Sequence, residues 1–267
     1  MSTGESQNLT TEYEYEPFEL IFLRRREEIL KLVGLTSYAL RSMDGLARLT
    51  QVLKKPAEAV ERAREIEDLA QAEVQADLPL LHSAASVLIW GALESAFRDF
   101  LVRWLVTHPS CLTVPDLNRI RVRVAEYENF SGENRMRFLV GVLERELGAT
   151  LKPGVGRFAC LLKPFGIVPA TSDDVRRDLN ELAAVRNVIV HRAGIADGRL
   201  INLCPWLGLK AGDSVTVGHT AFERYIHAAS EYAASIIDAG RGIAKSFATP
   251  TAAQPSVAAD RPQAAGG

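Results

Sequence analysis

The stretch TSDDVRRDLNELAAVRNVIVHRAG, residues 171–194, decides how the chain is read. Thr171 or Ser172 can cap a helix, and Asp173 and Asp174 suit the positive end of its dipole. Gly194 is the expected stop. With Arg186 at zero and about 100° per residue, Asn187 falls near 100° and His191 near 140°. Ala183 and Ala184 fall at about 60° and 160°, so the polar trio sits among small side chains. Leu182, Val185 and Ile189 cluster at roughly 260–320°, on the other side, and form the core face. One face is therefore bulky and apolar. The other is small and carries a cation, an amide and an imidazole.

Outward from this helix, the pattern stays helical. From Phe18 to about Leu46 apolar residues recur at helical intervals, with Gly34 as the expected break. KPAEAVERAREIEDLAQAEVQAD, from Lys55 to Asp77, reads as a charged, solvated helix of good helix formers. Pro79 opens the most apolar helix, which runs to about Val106. Leu93, Phe97, Phe100, Leu101 and Trp104 fall at three- and four-residue spacings there, and this is the expected core helix. Within it Glu94 and Arg98 stand one turn apart. Such a carboxylate is either paired with Arg98 or another cation, or aimed at a site. RIRVRV, from Arg119 to Val124, alternates as a strand does, while its neighbours favour helix. Asn134 to Leu147 reads as a short amphipathic helix, with Gly148 as its stop. After Gly194, ADGRLINL reads as a tight turn at Asp197-Gly198 followed by an extended piece, and GDSVTV offers a second, so a small hairpin is expected. Thr220 to Phe247 makes the closing helix.

Composition sets outer limits. The chain has 267 residues, 47% hydrophobic and 24% charged, with a net charge of −2. That length suits one large domain or two small ones. Cys111, Cys160 and Cys204 are odd in number, widely spaced and without a CxxC pair, which argues against a disulfide framework or zinc ribbon and fits a reducing compartment. The acidic, polar start does not read as a signal peptide. The longest strongly apolar stretch, Ser83 to Leu93, is far shorter than the roughly twenty residues a membrane helix needs. The expectation is a soluble, cytoplasmic protein with no membrane association. The small net charge hides a basic segment. Between Arg119 and Lys163, seven Arg and two Lys face five Glu, a local +4. KPGVGR at 152–157 is loop-like, and its GxG has neither a preceding strand nor a following GK[ST], so it is not read as a phosphate loop.

The polar face of the 171–194 helix has specific chemistry. An imidazole titrates near neutral pH and can take or give a proton. A guanidinium can grip a phosphate and stabilise charge developing on it. No carboxylate pair or metal-ligand cluster accompanies them, so a metal-independent reaction at phosphate is the natural chemical reading. Packing and capping are the structural alternative, because His191 lies in the last turn, where the dipole favours a cation in any case.

The string RNVIVH, Arg186 to His191, followed closely by Gly194, resembles the Arg-(four to six residues)-His motif of the HEPN superfamily. These are all-α domains common in prokaryotic conflict and toxin–antitoxin systems. ASVLIWGALESAFRDFL, with Glu94, looks like the family's earlier helix bearing an acidic residue. LINL, GDSVTV and the closing helix resemble stand-alone HEPN proteins of the RiboL-PSP type. The resemblance covers about residues 78–245.

It implies an all-α, HEPN-like helical bundle over 78–247, with a minor β-hairpin after the motif helix and a basic insertion at about 109–168. A disordered N-terminus (1–16) and a helical extension (17–77) would precede it, and a disordered tail (248–267) would follow. It further implies a homodimer in which two motif helices face each other, the Ala183/Ala184 face allowing the approach, to form a composite RNA-cleaving cleft. There the 2′-hydroxyl would attack its own phosphate. His191 would handle the proton, Arg186 would hold the phosphate, Asn187 would position groups and Glu94 would orient Arg186. Arg119, Arg121, Arg123 and Arg192 are the expected RNA contacts. No metal or cofactor is implied, and a cognate antitoxin or defence-system partner is. Two other readings stand beside this: a non-catalytic HEPN module that binds RNA, nucleotide or a partner protein, and a helical scaffold.

Overall fold

The computed structural model describes residues 16–117, 120–148 and 152–248. The helices among them are α1 (Glu16–Arg41), α2 (Leu46–Val52), α3 (Ala57–Gln75), α4 (Pro79–Thr107), α5 (Val124–Glu128), α6 (Gly132–Glu146), α7 (Gly156–Leu162), α8 (Asp173–His191), α9 (Gly198–Leu203) and α10 (His219–Ala248). Short 3-10 turns fill several of the connections, and the chain is all-α. The expected disordered ends fall outside the described residues, apart from Glu16 and Ala248, which belong to helices.

Helix α4 is the axis. Pro79 lies in its first turn, where a missing N–H costs nothing. Phe100, Leu101, Val102, Trp104 and Leu105 are all buried, over more than half of the helix circumference. Helices α1, α6, α8 and α10 pack around it. By length and composition α4 also meets the criteria for a membrane span, but half of that apolar window is buried against the other helices. Phe22 and Ile29 of α1 join the same core, so the N-terminal helix is packed into it.

Several local expectations change. Gly34 does not break α1, which runs on to Arg41. A glycine there costs about 1 kcal/mol relative to alanine, less than the helix gains by burying Phe22 and Ile29. The alternating residues 120–123 form no strand, and Val124 starts a short helix. With no neighbouring strand, an extended segment has no ladder to satisfy its backbone groups. The hairpin after the motif helix is also replaced. Asp197 is not a turn residue, because its carboxylate accepts the Leu200 N–H at 2.9 Å and so caps α9. The GDSVTV segment pairs instead with residues 194–196, through one antiparallel bridge between Ile195 and Ser214. Val215 N–H donates to the Gly194 carbonyl at 2.7 Å, and Ala196 N–H to the Asp213 carbonyl at 2.8 Å.

Candidate functional site

Helix α8 starts as its sequence predicts, with Ser172 Oγ accepting the Val175 N–H at 3.2 Å. Val175, Leu179, Leu182 and Val185 are buried among α4 and α10. The helix ends after His191, where Gly194, at φ +74°, sends its N–H back to the Val188 carbonyl at 3.1 Å. An L side chain is strained in that left-handed conformation, so glycine suits the stop.

The opposite face of α8 lines a groove. Asn180, Ala183, Ala184, Asn187 and His191 follow at helical spacing, and all of them border it. One wall is the 152–155 loop with the first turn of α7, held down by a hydrogen bond from Val155 N–H to Asn180 Oδ1 at 3.3 Å. The other wall is α9. Both alanines are buried. Small side chains thus lie along this stretch of the groove.

The groove consists of two adjoining cavities. One, of about 480 Å³, is bordered by His191, Arg192, Asp197 and Arg199. The other, of about 210 Å³, is bordered by Trp90, Glu94, Lys152, Arg157 and Arg186. Asn187 and Arg199 belong to both. Five cations and two carboxylates therefore face one channel, before His191 is counted.

At its centre the motif residues meet. Arg186 Nη1 donates to Asn187 Oδ1 at 3.1 Å and lies 3.4 Å from His191 Nε2. A guanidinium has no lone pair, so this contact is a hydrogen bond only in the tautomer whose Nε2 is the acceptor. An Nε2 lone pair is what a general base needs. Arg186 is half-buried, and its Nε is enclosed with no hydrogen-bond partner among the described residues. His191 is exposed.

Glu94 is placed otherwise than expected. It borders the smaller cavity with Arg186, yet its carboxylate binds Arg157 Nη1 at 2.9 Å. Arg157 also reaches Glu144 at 3.3 Å, and Glu144 takes two hydrogen bonds from Arg98, at 2.9 and 3.1 Å. Of the two partners the sequence leaves open, Arg98 or another cation, Glu94 takes the second, in an alternating chain: Glu94, Arg157, Glu144, Arg98. Helical spacing within α4 does not reveal it, because Arg157 and Glu144 arrive from α7 and α6.

The expected RNA contacts divide. Arg192, the C-terminal cap of α8, borders the larger cavity, 3.7 Å from Asp197 Oδ2. Arg121 and Arg123 are exposed in the 120–123 stretch and border neither cavity, and Arg123 pairs with Glu126. Arg119 lies outside the described residues. The basic segment does reach the groove, through Lys152 and Arg157. Sequence reading had not singled out Asn180, Lys152, Arg157 or Arg199. Asn180 alone left a signal, two turns before Asn187 on the same stripe.

A separate polar cluster holds the α9 wall in place. Glu181, on the back of α8, is 1% exposed. It accepts hydrogen bonds from Trp206 Nε1, from Tyr225 OH at 2.8 Å and from Arg224 Nη2 at 3.0 Å. Burial pushes the neighbouring Cys204 thiol up to about 11 and raises the Tyr225 hydroxyl too. Burial likewise raises Cys111, so neither thiol is primed as a nucleophile. Among the described residues no three His, Cys, Asp or Glu side chains gather as a metal site would need.

No family model, no curated protein and no solved structure matches the chain. Fold and site together define an all-α protein with a cationic, histidine-bearing groove along one helix.

Proposed function

We propose that the chain is a metal-independent endoribonuclease of the HEPN type, working as a homodimer in a toxin–antitoxin or phage-defence setting. One observation carries the reading: Arg186, Asn187 and His191 lie within reach of one another where two cation-lined cavities join. RNA supplies both the anion that such a groove attracts and a built-in nucleophile. The 2′-oxygen forms a bond to the adjacent phosphorus while His191 Nε2 takes its proton. The bond from phosphorus to the 5′-oxygen breaks, and the imidazolium returns the proton to the departing oxygen. The products are a 2′,3′-cyclic phosphate and a 5′-hydroxyl. Arg186 neutralises the charge that grows on the phosphoryl oxygens, the term expected to dominate such a step. Asn187 fixes the Arg186 guanidinium through the 3.1 Å contact. In the dimer the second copy meets the open end of α8, where Val190 and Ile195 are nearly half exposed beside His191. Three free thiols suit a cytoplasmic setting.

The test compares wild type with His191→Ala and Arg186→Ala on total RNA in EDTA. Wild type is expected to give fragments with cyclic-phosphate ends, and both variants are expected to stay folded and lose cleavage. Cleavage retained by His191→Ala, or abolished by EDTA, contradicts the mechanism. Intact RNA bound without cleavage selects the non-catalytic binding module.

A further inference from the structure

The cations of the groove are of two kinds. Arg157 and Arg192 are held by Glu94 and Asp197. Lys152, Arg186 and Arg199 border the same channel and form no ion pair among the described residues. Arg186 is accounted for by the motif. Lys152 and Arg199 are not, and they stand on opposite walls, one on the 152–155 loop and one in the first turn of α9. Arg199 is the one cation common to both cavities.

The groove is also long. From Asn180 to His191 the helix advances about 16 Å at its rise per residue. Even a stacked strand advances only about 3.4 Å per nucleotide along a duplex axis. The channel therefore exceeds what one phosphate needs. Its floor is poor in exposed aromatic surface, since Trp90 is buried, so stacking contributes little and phosphate contacts dominate.

We propose that Lys152 and Arg199 are phosphate-positioning residues that grip the phosphates flanking the one at Arg186 and His191. The ligand is accordingly a single strand several nucleotides long, laid along α8 between the two walls. This rests on the reading of the groove as an RNA site and adds residues that the motif does not contain.

Binding is measured separately from cleavage, with a fluorescent RNA oligonucleotide that is 2′-O-methylated throughout and so has no nucleophile. Its affinity for the full chain is followed across a salt series. Each single-strand phosphate contact contributes a slope of about −0.7 in log K against log salt. Arg199→Gln and Lys152→Gln should each weaken binding about tenfold and flatten the slope by about that one contact. Both side chains are exposed and form no ion pair among the described residues, so the unfolding midpoint should not move. Arg121→Gln, outside the groove, should leave slope and affinity at wild-type values. On unmodified RNA, Arg199→Gln should raise KM more than it lowers kcat.

Unchanged slopes in both groove variants, with wild type still cleaving RNA, overturn the inference and leave the nuclease reading standing. Flattened slopes in a protein that cleaves no RNA uphold the positioning roles and overturn the nuclease reading. A wild-type protein that does not bind the oligonucleotide overturns both.

Discussion

Replacing Gly154 by alanine tests the architecture of the groove at its tightest point. Gly154 has φ +51°, and a Cβ built there would lie 2.1 Å from Asn180 Oδ1 and 3.1 Å from Asn180 Cα. Turning the Asn180 side chain relieves the first clash but not the second, and it breaks the bond from Val155 N–H that docks the loop. The left-handed backbone costs an alanine roughly 1–2 kcal/mol. The residual overlap adds about 1–3 kcal/mol and the lost hydrogen bond about 1 kcal/mol. Keeping the loop in place would thus cost roughly 3–6 kcal/mol on those same terms. Lifting residues 152–155 off α8 avoids most of this, so the expected result is local loosening rather than unfolding. Hydrogen exchange reads it directly, because the Val155 amide should lose protection while α4 amides keep theirs. Lys152 moves with the loop, so cleavage should fall as well. Asn180→Ala on the Gly154→Ala background removes one of the two obstacles, and the pair should cost less than the two single changes added together. Wild-type protection at Val155 in Gly154→Ala would refute the account of how this wall is held.

Two further changes probe the supports behind the site. Glu181→Ala strands Trp206 and Tyr225 without their shared acceptor and leaves Arg224 with Asp178 alone. It should cost roughly 3 kcal/mol, the low end for a broken buried pair because Arg224 remains accessible to water. A loss under about 1 kcal/mol by denaturant unfolding would show that the cluster does not hold the α9 wall. His82 gives a pH signature. Burial lowers its proton affinity below the ordinary 6.5, while His219, Asp77 and Glu223 face it. The unfolded chain takes up that proton first, so this part of the stability is full above pH 6.5 and is lost as pH falls through the folded value. His82→Gln can keep a donor to the Asp77 carbonyl and should flatten the unfolding midpoint between about pH 7 and 5. An equally steep decline in the variant would assign the pH dependence to other groups.

What the sequence conveyed depended on whether a feature lies within one helix. Ser172, the two faces of α8, the apolar run after Pro79 and the grouping of Arg186, Asn187 and His191 follow from local periodicity, and the structure places them as read. What it left open or misread involves partners distant in the chain. Glu94 reads as paired with Arg98 or another cation, and only the fold shows that the cation is Arg157, from 63 residues away. Asp197-Gly198 looked like a turn because the same residues suit turns and helix caps, and only the Leu200 contact decides between them. Arg199 carried no periodic signal, since its place in the groove depends on how α9 packs on α8.

The central claim is that this groove cuts RNA by using the substrate's own 2′-hydroxyl. The most direct measurement offers the protein, in EDTA, an oligodeoxynucleotide with one ribonucleotide at a fixed position, beside the all-deoxy strand of the same sequence. The account predicts a single cut 3′ to the ribose, leaving a 2′,3′-cyclic phosphate, with the all-deoxy strand intact. Cutting of the all-deoxy strand, or a plain 3′-hydroxyl at the cut, would contradict it.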